Sequence, residues 1–336
     1  MWQIDNGTDF SVAGAGVTDK TGRNAWVVAV KAAFRLLPGG RVEPLPAADQ
    51  PSVEHVPTYN GADGLSSLRY EADLLARKRG TDVVLNGEAW APRGRAASQV
   101  EVGLRVGERI KRLLVYGDRV YERAGLGGLA VAAPQAFHRQ RIIYERAYGG
   151  HDLGEPEPSR QAFHAANPVG CGLVKAVGAP VPCVEYAEPG GGSRPVPGFG
   201  AVASYWAPRI HFAGTYDQAW MTERRPLLPA DFDPRYFHFA PEDQQFAAPL
   251  RGGEVVELWN LTPDSYYSFV LPKHYFGFTT FHGGEGVEHR AELETVYIEP
   301  SDARVTMLWK TQLDCHAYFD DIDFTRVIEK EYIEAT

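Results

Sequence analysis

Five carboxylates, Asp217, Asp231, Asp233, Glu242 and Asp243, fall within 27 residues of a 336-residue chain, interleaved with Tyr216, Trp220, Phe232, Tyr236 and Phe237. Paired carboxylates beside aromatic rings are the equipment of a glycoside hydrolase. One acid protonates the leaving oxygen, the other stays ionised, and the rings stack on sugar faces. The same residue types also serve structure: Asp before a helix is a cap, and Asp beside Pro forms turns. The spacing leaves both readings open. The rings are expected to be packing residues that hold closely spaced prolines in place.

A second cluster, His282-Gly283-Gly284-Glu285-Gly286-Val287-Glu288-His289, holds two histidines and two carboxylates in eight residues. Zinc ligands on a helix require HExxH spacing, which this run lacks, so it reads as a polar surface loop and no metal site is assigned. Cys171, Cys183 and Cys315 form no CxxC pair and read as reduced thiols. There is no GxSxG elbow and no GxxxxGKS/T phosphate loop. Gly125-Leu126-Gly127-Gly128 lacks the full dinucleotide fingerprint. No cofactor is expected, and no catalytic residue is assigned.

The elements that would carry these residues are mostly strands. Trp26, Val28, Val30, Ala32, Phe34 and Leu36 alternate with a second set, and Pro38-Gly39-Gly40 turns the chain toward Arg41 to Leu45 as a hairpin. Strands are predicted at 81–91, 100–106, 110–116 and 119–123, then at 254–261, 265–271, 294–299 and 304–310. Residues 86–146 hold 11 basic and 6 acidic side chains. Arg93, Arg95, Arg105, Arg109, Lys111, Arg112 and Arg119 lie in this meander, where alternate side chains share a face. They read as solvated strand faces or as a docking patch for an acidic partner, with Arg105, Arg109, Lys111, Arg112 and Arg119 as the partner-binding candidates. From 167 to 200, eight glycines and six prolines leave no regular element expected. Asp217 is placed to cap a short helix over 218–224, and Phe324, Val327, Ile328 and Tyr332 suggest a short terminal helix.

Composition sets the frame. The 35 glycines and 24 prolines exceed a sixth of the chain, against about 12% in average usage, which favours turns and β structure. The net charge of −9 argues against a nucleic-acid binder. No apolar run reaches the length of a membrane helix and no signal-peptide pattern opens the chain, so a cytoplasmic protein without a membrane partner is expected. The fold class predicted is mainly β: antiparallel sheets, sandwich-like or in two packed lobes, with few short helices. Three segments are expected within one compact unit: an N-terminal meander (1–166), a Gly/Pro- and turn-rich centre (167–250) and C-terminal hairpins (251–336).

The densest motif is Gly214-Thr215-Tyr216-Asp217 followed by Trp220, Arg225-Pro226, Leu228-Pro229, Asp231-Phe232-Asp233, Arg235-Tyr236-Phe237 and Ala240-Pro241-Glu242-Asp243-Gln244. With Val30 to Phe34, Asp73 to Lys78, Thr81 to Val84 and Val115 to Arg119 in the same order, it resembles a bacterial family of otherwise unknown function associated with type VI secretion, encoded near spike and PAAR-repeat proteins. The resemblance spans roughly residues 1–312. It implies a non-enzymatic adaptor or chaperone that binds a secreted effector and helps load it onto the spike or PAAR tip. It also marks Gly214, Thr215, Tyr216, Asp217, Trp220, Pro229, Asp231, Asp233, Pro241, Asp243 and Gln244 as structural or binding residues. The alternative is a carbohydrate-active hydrolase using the Asp217 to Asp243 acids. Carboxylates lining one open pocket would favour the hydrolase, and carboxylates capping turns and pairing with arginines would favour the adaptor.

Overall fold

The longest apolar alternation in the sequence becomes the strand Asn24–Leu36, with Trp26, Val28, Val30, Ala32 and Phe34 buried on one face and Val27, Ala29 and Ala33 buried on the other. A strand covered on both faces belongs in the interior of a layered structure. In the computed structural model, which describes residues 3–188, 194–315 and 322–330, it lies inside a seven-stranded sheet. The order runs Gln245–Phe246, Thr81–Leu85, Glu292–Glu299, Arg304–Cys315, Asn24–Leu36 and Ser11–Thr18, and Val42–Pro44 also pairs with Asn24–Leu36. Only Thr81–Leu85 and Glu292–Glu299 run parallel. This sheet takes strands from each of the three segments marked in the sequence.

A five-stranded antiparallel sheet, ordered Val184–Tyr186, Arg109–Tyr116, Gln99–Val106, Val255–Trp259 and Tyr266–Val270, packs on one face of the seven-stranded sheet. The shared core includes Val30, Val83, Val296 and Met307 from one sheet and Val102, Leu104, Leu113 and Leu258 from the other. Phe276, Phe278 and Val327 of a four-stranded sheet (Gln3–Gly7, Ile322–Lys330, Tyr275–His282, Glu285–Arg290) join the same core. Under the opposite face of the large sheet, Val84 and Tyr297 meet Leu68 from the short strand Leu68–Tyr70 and Tyr144, Trp206 and Phe239 from turns and loops. The mainly β expectation holds, with one α-helix, Gln218–Glu223, among the described residues. No helix among them is long and apolar enough to cross a membrane.

Three local expectations are corrected. The proposed terminal helix is instead the strand Ile322–Lys330, paired with Gln3–Gly7 and Tyr275–His282. Its β-branched residues, with Thr325 and Val327 buried, suit a strand with neighbours on both sides, and this outweighs the helical spacing. Tyr332 lies outside the described residues. The 167–200 stretch carries two short strands, Cys171–Gly172 and Val184–Tyr186, because the sheet edge at Leu113–Val115 supplies hydrogen-bond partners for the second. Finally, the His282–His289 run is a hairpin turning at Gly283 and Gly284, both at positive φ. His289 Nε2 lies 2.8 Å from Thr280 Oγ1 and its Nδ1 2.8 Å from Thr311 Oγ1.

Candidate functional site

The first half of the central motif is a surface cluster built by its own carboxylates. Gly214 adopts φ +83°, and a Cβ there would sit 2.6 Å from Pro229 Cβ and 2.9 Å from Asp231 Oδ1, so the turn requires glycine. Asp231 accepts from Thr215 N (2.9 Å) and Thr215 Oγ1 (2.7 Å), bonds that hold its carboxyl below the usual range. Asp217 caps the helix by accepting from Trp220 N at 2.8 Å, as expected from the sequence. Asp233 accepts from Arg235 N at 2.9 Å and from the Arg235 guanidinium at 2.8 and 2.6 Å. The expectation that the five rings are packing residues is met fully at Phe232, while Tyr216 is 53% exposed. Trp220, Tyr236 and Phe237 are half-buried, because the cluster sits over the turn at Lys20. There Arg224 donates to Lys20 O and Lys20 Nζ donates to Phe232 O.

The second half is a latch whose Gln244 and Lys111 are buried and whose Asp243 is half-buried. Asp243 accepts from Lys111 Nζ (2.8 Å) and Tyr186 Oη (2.9 Å), reaching two strands of the five-stranded sheet. Gln244 accepts from Lys111 Nζ at 2.9 Å and donates to Val83 O (2.7 Å) and Phe199 O (3.0 Å), reaching the seven-stranded sheet. One dipeptide thus ties both sheets together at their edge. Burial pulls the Lys111 ammonium down to about 8, against the opposing pull of Asp243. Beside the latch, buried Asp82 accepts from Lys78 Nζ (2.8 Å), Phe239 N (2.7 Å) and Ala240 N (3.2 Å), with His238 Nδ1 at 2.8 Å. Burial would raise this carboxyl, but Lys78 and His238 hold it well below its usual range. Asp82 fixes the path of 238–240, and the His238 ring is oriented with Nδ1 engaged.

The structure separates the basic residues that the meander was expected to align. Lys111 opposes Leu104 in the register and is buried, whereas Arg112 and Arg105 lie on the outer face opposite Gly103 and Ile110. Strand alternation itself puts Lys111 and Arg112 on opposite faces, so a patch of Arg109, Lys111 and Arg112 is corrected. Arg105 pairs with Glu257 and Arg119 with Glu185, and Arg109 donates to Gln245 O at 2.6 Å over the Phe246 ring. Among the described residues Arg112 has a 3.8 Å pair with Glu101.

Next to the latch lies a cavity of about 450 Å³ whose lining includes Tyr144, Val202, Pro208, Phe212, His238 and Glu242. A second, also about 450 Å³, lies over Ile110, Lys111, Arg112, Tyr186, Glu188 and Asp243. The two share Arg194 and Pro195. Both volumes fall in the range of ligand sites, roughly 300–1,000 Å³. Arg209, in the wall of the first, is buried against Glu71 at 2.5 Å and donates to Tyr236 O at 2.8 Å. Of the five motif carboxylates, Glu242 lines the first cavity and Asp243 the second. Cys171 and Cys183 have thiols pushed up by burial, so neither is an activated nucleophile. Among the described residues no three His, Cys, Asp or Glu side chains are grouped to hold a metal ion.

A family model described as an uncharacterized protein conserved in bacteria matches residues 21–310. The chain belongs to this family, DUF2169. No curated protein and no solved structure matches it. The DUF2169 match takes in the latch, Asp82 and both cavities, and leaves out Gln3–Gly7 and Ile322–Lys330 of the four-stranded sheet. Within it, sequence reasoning named the latch residues but missed Asp82, His238, Arg194 and the Arg209–Glu71 pair. Asp82 had a signal: a charge inside the apolar run Thr81 to Leu85 is costly to bury without a partner, so it marks a buried pair.

Proposed function

We propose that this DUF2169 protein is a non-enzymatic adaptor that acts in the cytoplasm, binding a secreted effector and helping to load it onto the spike or PAAR tip of a type VI secretion system. The observation that carries the reading is how the motif carboxylates are engaged. Asp217 caps a helix, Asp231 and Asp233 hold turns, and Asp243 neutralises Lys111. A glycoside hydrolase needs an acid and a second carboxylate facing one open site, and here Glu242 faces the cavity beside Tyr144 and His238 without another motif carboxylate in its lining. Loops carried on rigid sheets suit recognition of a protein surface. The choice of partner rests on the resemblance of the central motif.

The test is co-expression of the tagged chain with the effector and PAAR-repeat proteins encoded beside its gene, followed by size-exclusion chromatography. A stoichiometric complex with the effector is expected. A chain that binds neither protein, yet cleaves a polysaccharide in a manner lost with Glu242→Gln or Asp243→Asn, would replace the adaptor with the hydrolase.

A further inference from the structure

We propose that Ser11–Thr18, the free edge of the seven-stranded sheet, pairs antiparallel with the same strand of a second copy of this chain across a two-fold axis at Ala15, joining the two sheets into one. The inference stands apart from the adaptor reading and adds an assembly state to it.

Register shows which main-chain groups are open. Leu36 N donates to Ala303 O at 2.7 Å, continuing the ladder with Arg304–Cys315, so even-numbered residues of Asn24–Leu36 turn their N–H and C=O groups toward that strand. Odd-numbered ones turn the other way, as the bond from Leu45 N to Ala33 O also shows. Ser11 lies opposite Lys31, so Ser11, Ala13, Ala15 and Val17 exchange bonds with Asn24–Leu36, and Val12, Gly14, Gly16 and Thr18 direct theirs outward. Among the described residues these outward groups have no backbone partner. Phe10, next in the same alternation, is closed locally. Its N–H donates to Thr8 Oγ1 at 3.2 Å and its C=O accepts from Asn6 Nδ2 at 2.8 Å. The open run therefore begins at Val12.

The edges of the other large sheets are short, charged or covered. Val184–Tyr186 has three residues, Gln3–Gly7 carries Asp5 bound to Arg326, and Glu285–Arg290 carries Glu285, Glu288 and Arg290. The turn at 38–40 lies against Tyr266–Val270, where a Cβ on Gly40 would come within 2.3 Å of Ser268 O. Ser11–Thr18 has eight residues, with no charge, no proline and no slip in its register. Such an edge accepts another strand.

What selects a second copy is the symmetry of the edge. With the axis at Ala15, Val12 lies opposite Thr18 and Gly14 opposite Gly16, so the outward groups of each copy meet those of the other. No charged side chain falls within the run. Beyond it, antiparallel pairing brings Asp9, exposed and without an ion pair among the described residues, toward the other copy's hairpin tip, where Lys20 and Arg23 outnumber Asp19. At the axis the two Ala15 residues form a non-hydrogen-bonded pair with Cα atoms about 4.5 Å apart, a separation that suits small side chains.

Sedimentation velocity on the full chain from about 1 to 100 µM should show a dimer. Ala15→Cys should give a disulfide-linked dimer on a non-reducing gel, since about 4.5 Å is within disulfide range, whereas Ala13→Cys, opposite Val17, should link no more than the parent. Ala15→Lys sets like charges opposite each other and should raise the dimer dissociation constant about tenfold or more, with an unchanged circular-dichroism spectrum. Asp9→Lys or Arg23→Glu should each raise it about threefold or more, because each change counts twice in a two-fold dimer, and the double variant should recover. If Ala15→Lys does not fold, the cross-link and the charge exchange decide. A parent chain that stays monomeric overturns the proposal. So does a dimer that cross-links equally at positions 13 and 15, or one that Ala15→Lys and both charge variants leave intact.

Discussion

The two faces of the seven-stranded sheet are held by different physics. On the face toward the five-stranded sheet, Val83, Val296, Ile298 and Met307 meet Val102, Leu104 and Leu258, and period-2 alternation on both sides suffices to bury them. The opposite face buries Lys31, Asp82 and Lys310, each with at most 4% exposure. Lys31 pairs with Asp73 and Asp82 with Lys78, both at 2.8 Å, and Asp73 and Lys78 lie in chain without helix or strand. The register between Glu292–Glu299 and Arg304–Cys315 slips at Leu293/Thr295, and the extra residue, Glu294, meets Lys310 Nζ at 2.9 Å. Strand side chains also satisfy the cover's backbone: Glu294 accepts from Lys78 N, Gln312 accepts from Arg77 N, and Lys310 donates to Leu75 O. Regular layers can be positioned by apolar area alone. An irregular cover needs directional partners, and buried charges supply them.

Neighbouring residues on opposite faces give the most direct test. Asp82→Ala leaves Lys78 and two backbone N–H groups without their acceptor, and should cost about 3–5 kcal/mol in urea unfolding, with a fall in soluble yield. Val83→Ala, one residue along and equally buried, should cost about 2 kcal/mol through lost apolar contact. Equal costs would erase the contrast between the faces. A double-mutant cycle sharpens it further. Lys310→Met alone strands the Glu294 carboxylate and should cost about 3 kcal/mol. Adding Glu294→Gln keeps an acceptor for Lys78 N and removes the unpaired charge, so roughly half of that loss or more should return. If the two costs simply add, the pair does not act as a unit.

The apolar face has its own polar end, built from neutral groups. Trp26 Nε1 donates to Thr325 Oγ1, which lies 2.9 Å from Thr280 Oγ1, and His289 bridges Thr280 to Thr311. Burial lowers the His289 pKa from 6.5 to about 4, with His282 adding to the shift. Because the folded value lies below the unfolded one, the unfolded chain binds more protons between them, and stability falls as pH drops from about 6.5 toward 4. After allowance for partial solvent exposure the loss should be about 1–2 kcal/mol. Urea midpoints across that window should decline less steeply in His289→Gln than in the parent. Parallel curves would show that the ring titrates freely.

Legibility in the sequence divides along the same line as the faces. The strands Asn24–Leu36, Arg109–Tyr116 and Val255–Trp259 were readable because their alternation repeats over enough residues to fix a face. Helical spacing misled at Ile322–Lys330, because a strand's neighbours are distant in sequence and propensity yields to them. The latch was half legible: Asp243 and Gln244 stood in a recognisable motif, but their partner Lys111 looked like one more solvent-facing base. Only the parity of Lys111 against Arg112 could have distinguished it. The cavity around Arg194 was not legible, since segments near residues 144, 194, 209 and 238 converge there through a cover that has no period to read.

The smallest expected effect lies outside both faces, and it tests whether the central motif is one unit or two. Asp217 accepts from Trp220 N and caps a six-residue helix, and Trp220 Nε1 donates to Leu227 O within the same surface cluster. A helix this short does not persist by propensity alone, so the cap matters locally. Neither core cluster contains a residue of this helix. Asp217→Ala should therefore cost about 1 kcal/mol or less overall. It should also speed amide exchange at Trp220 and Met221 while leaving Lys78, Phe239 and Gln244 as protected as before. A global loss as large as that of Asp82→Ala would mean that the Gly214–Asp233 cluster is part of the framework and that the division drawn between it and the latch is wrong.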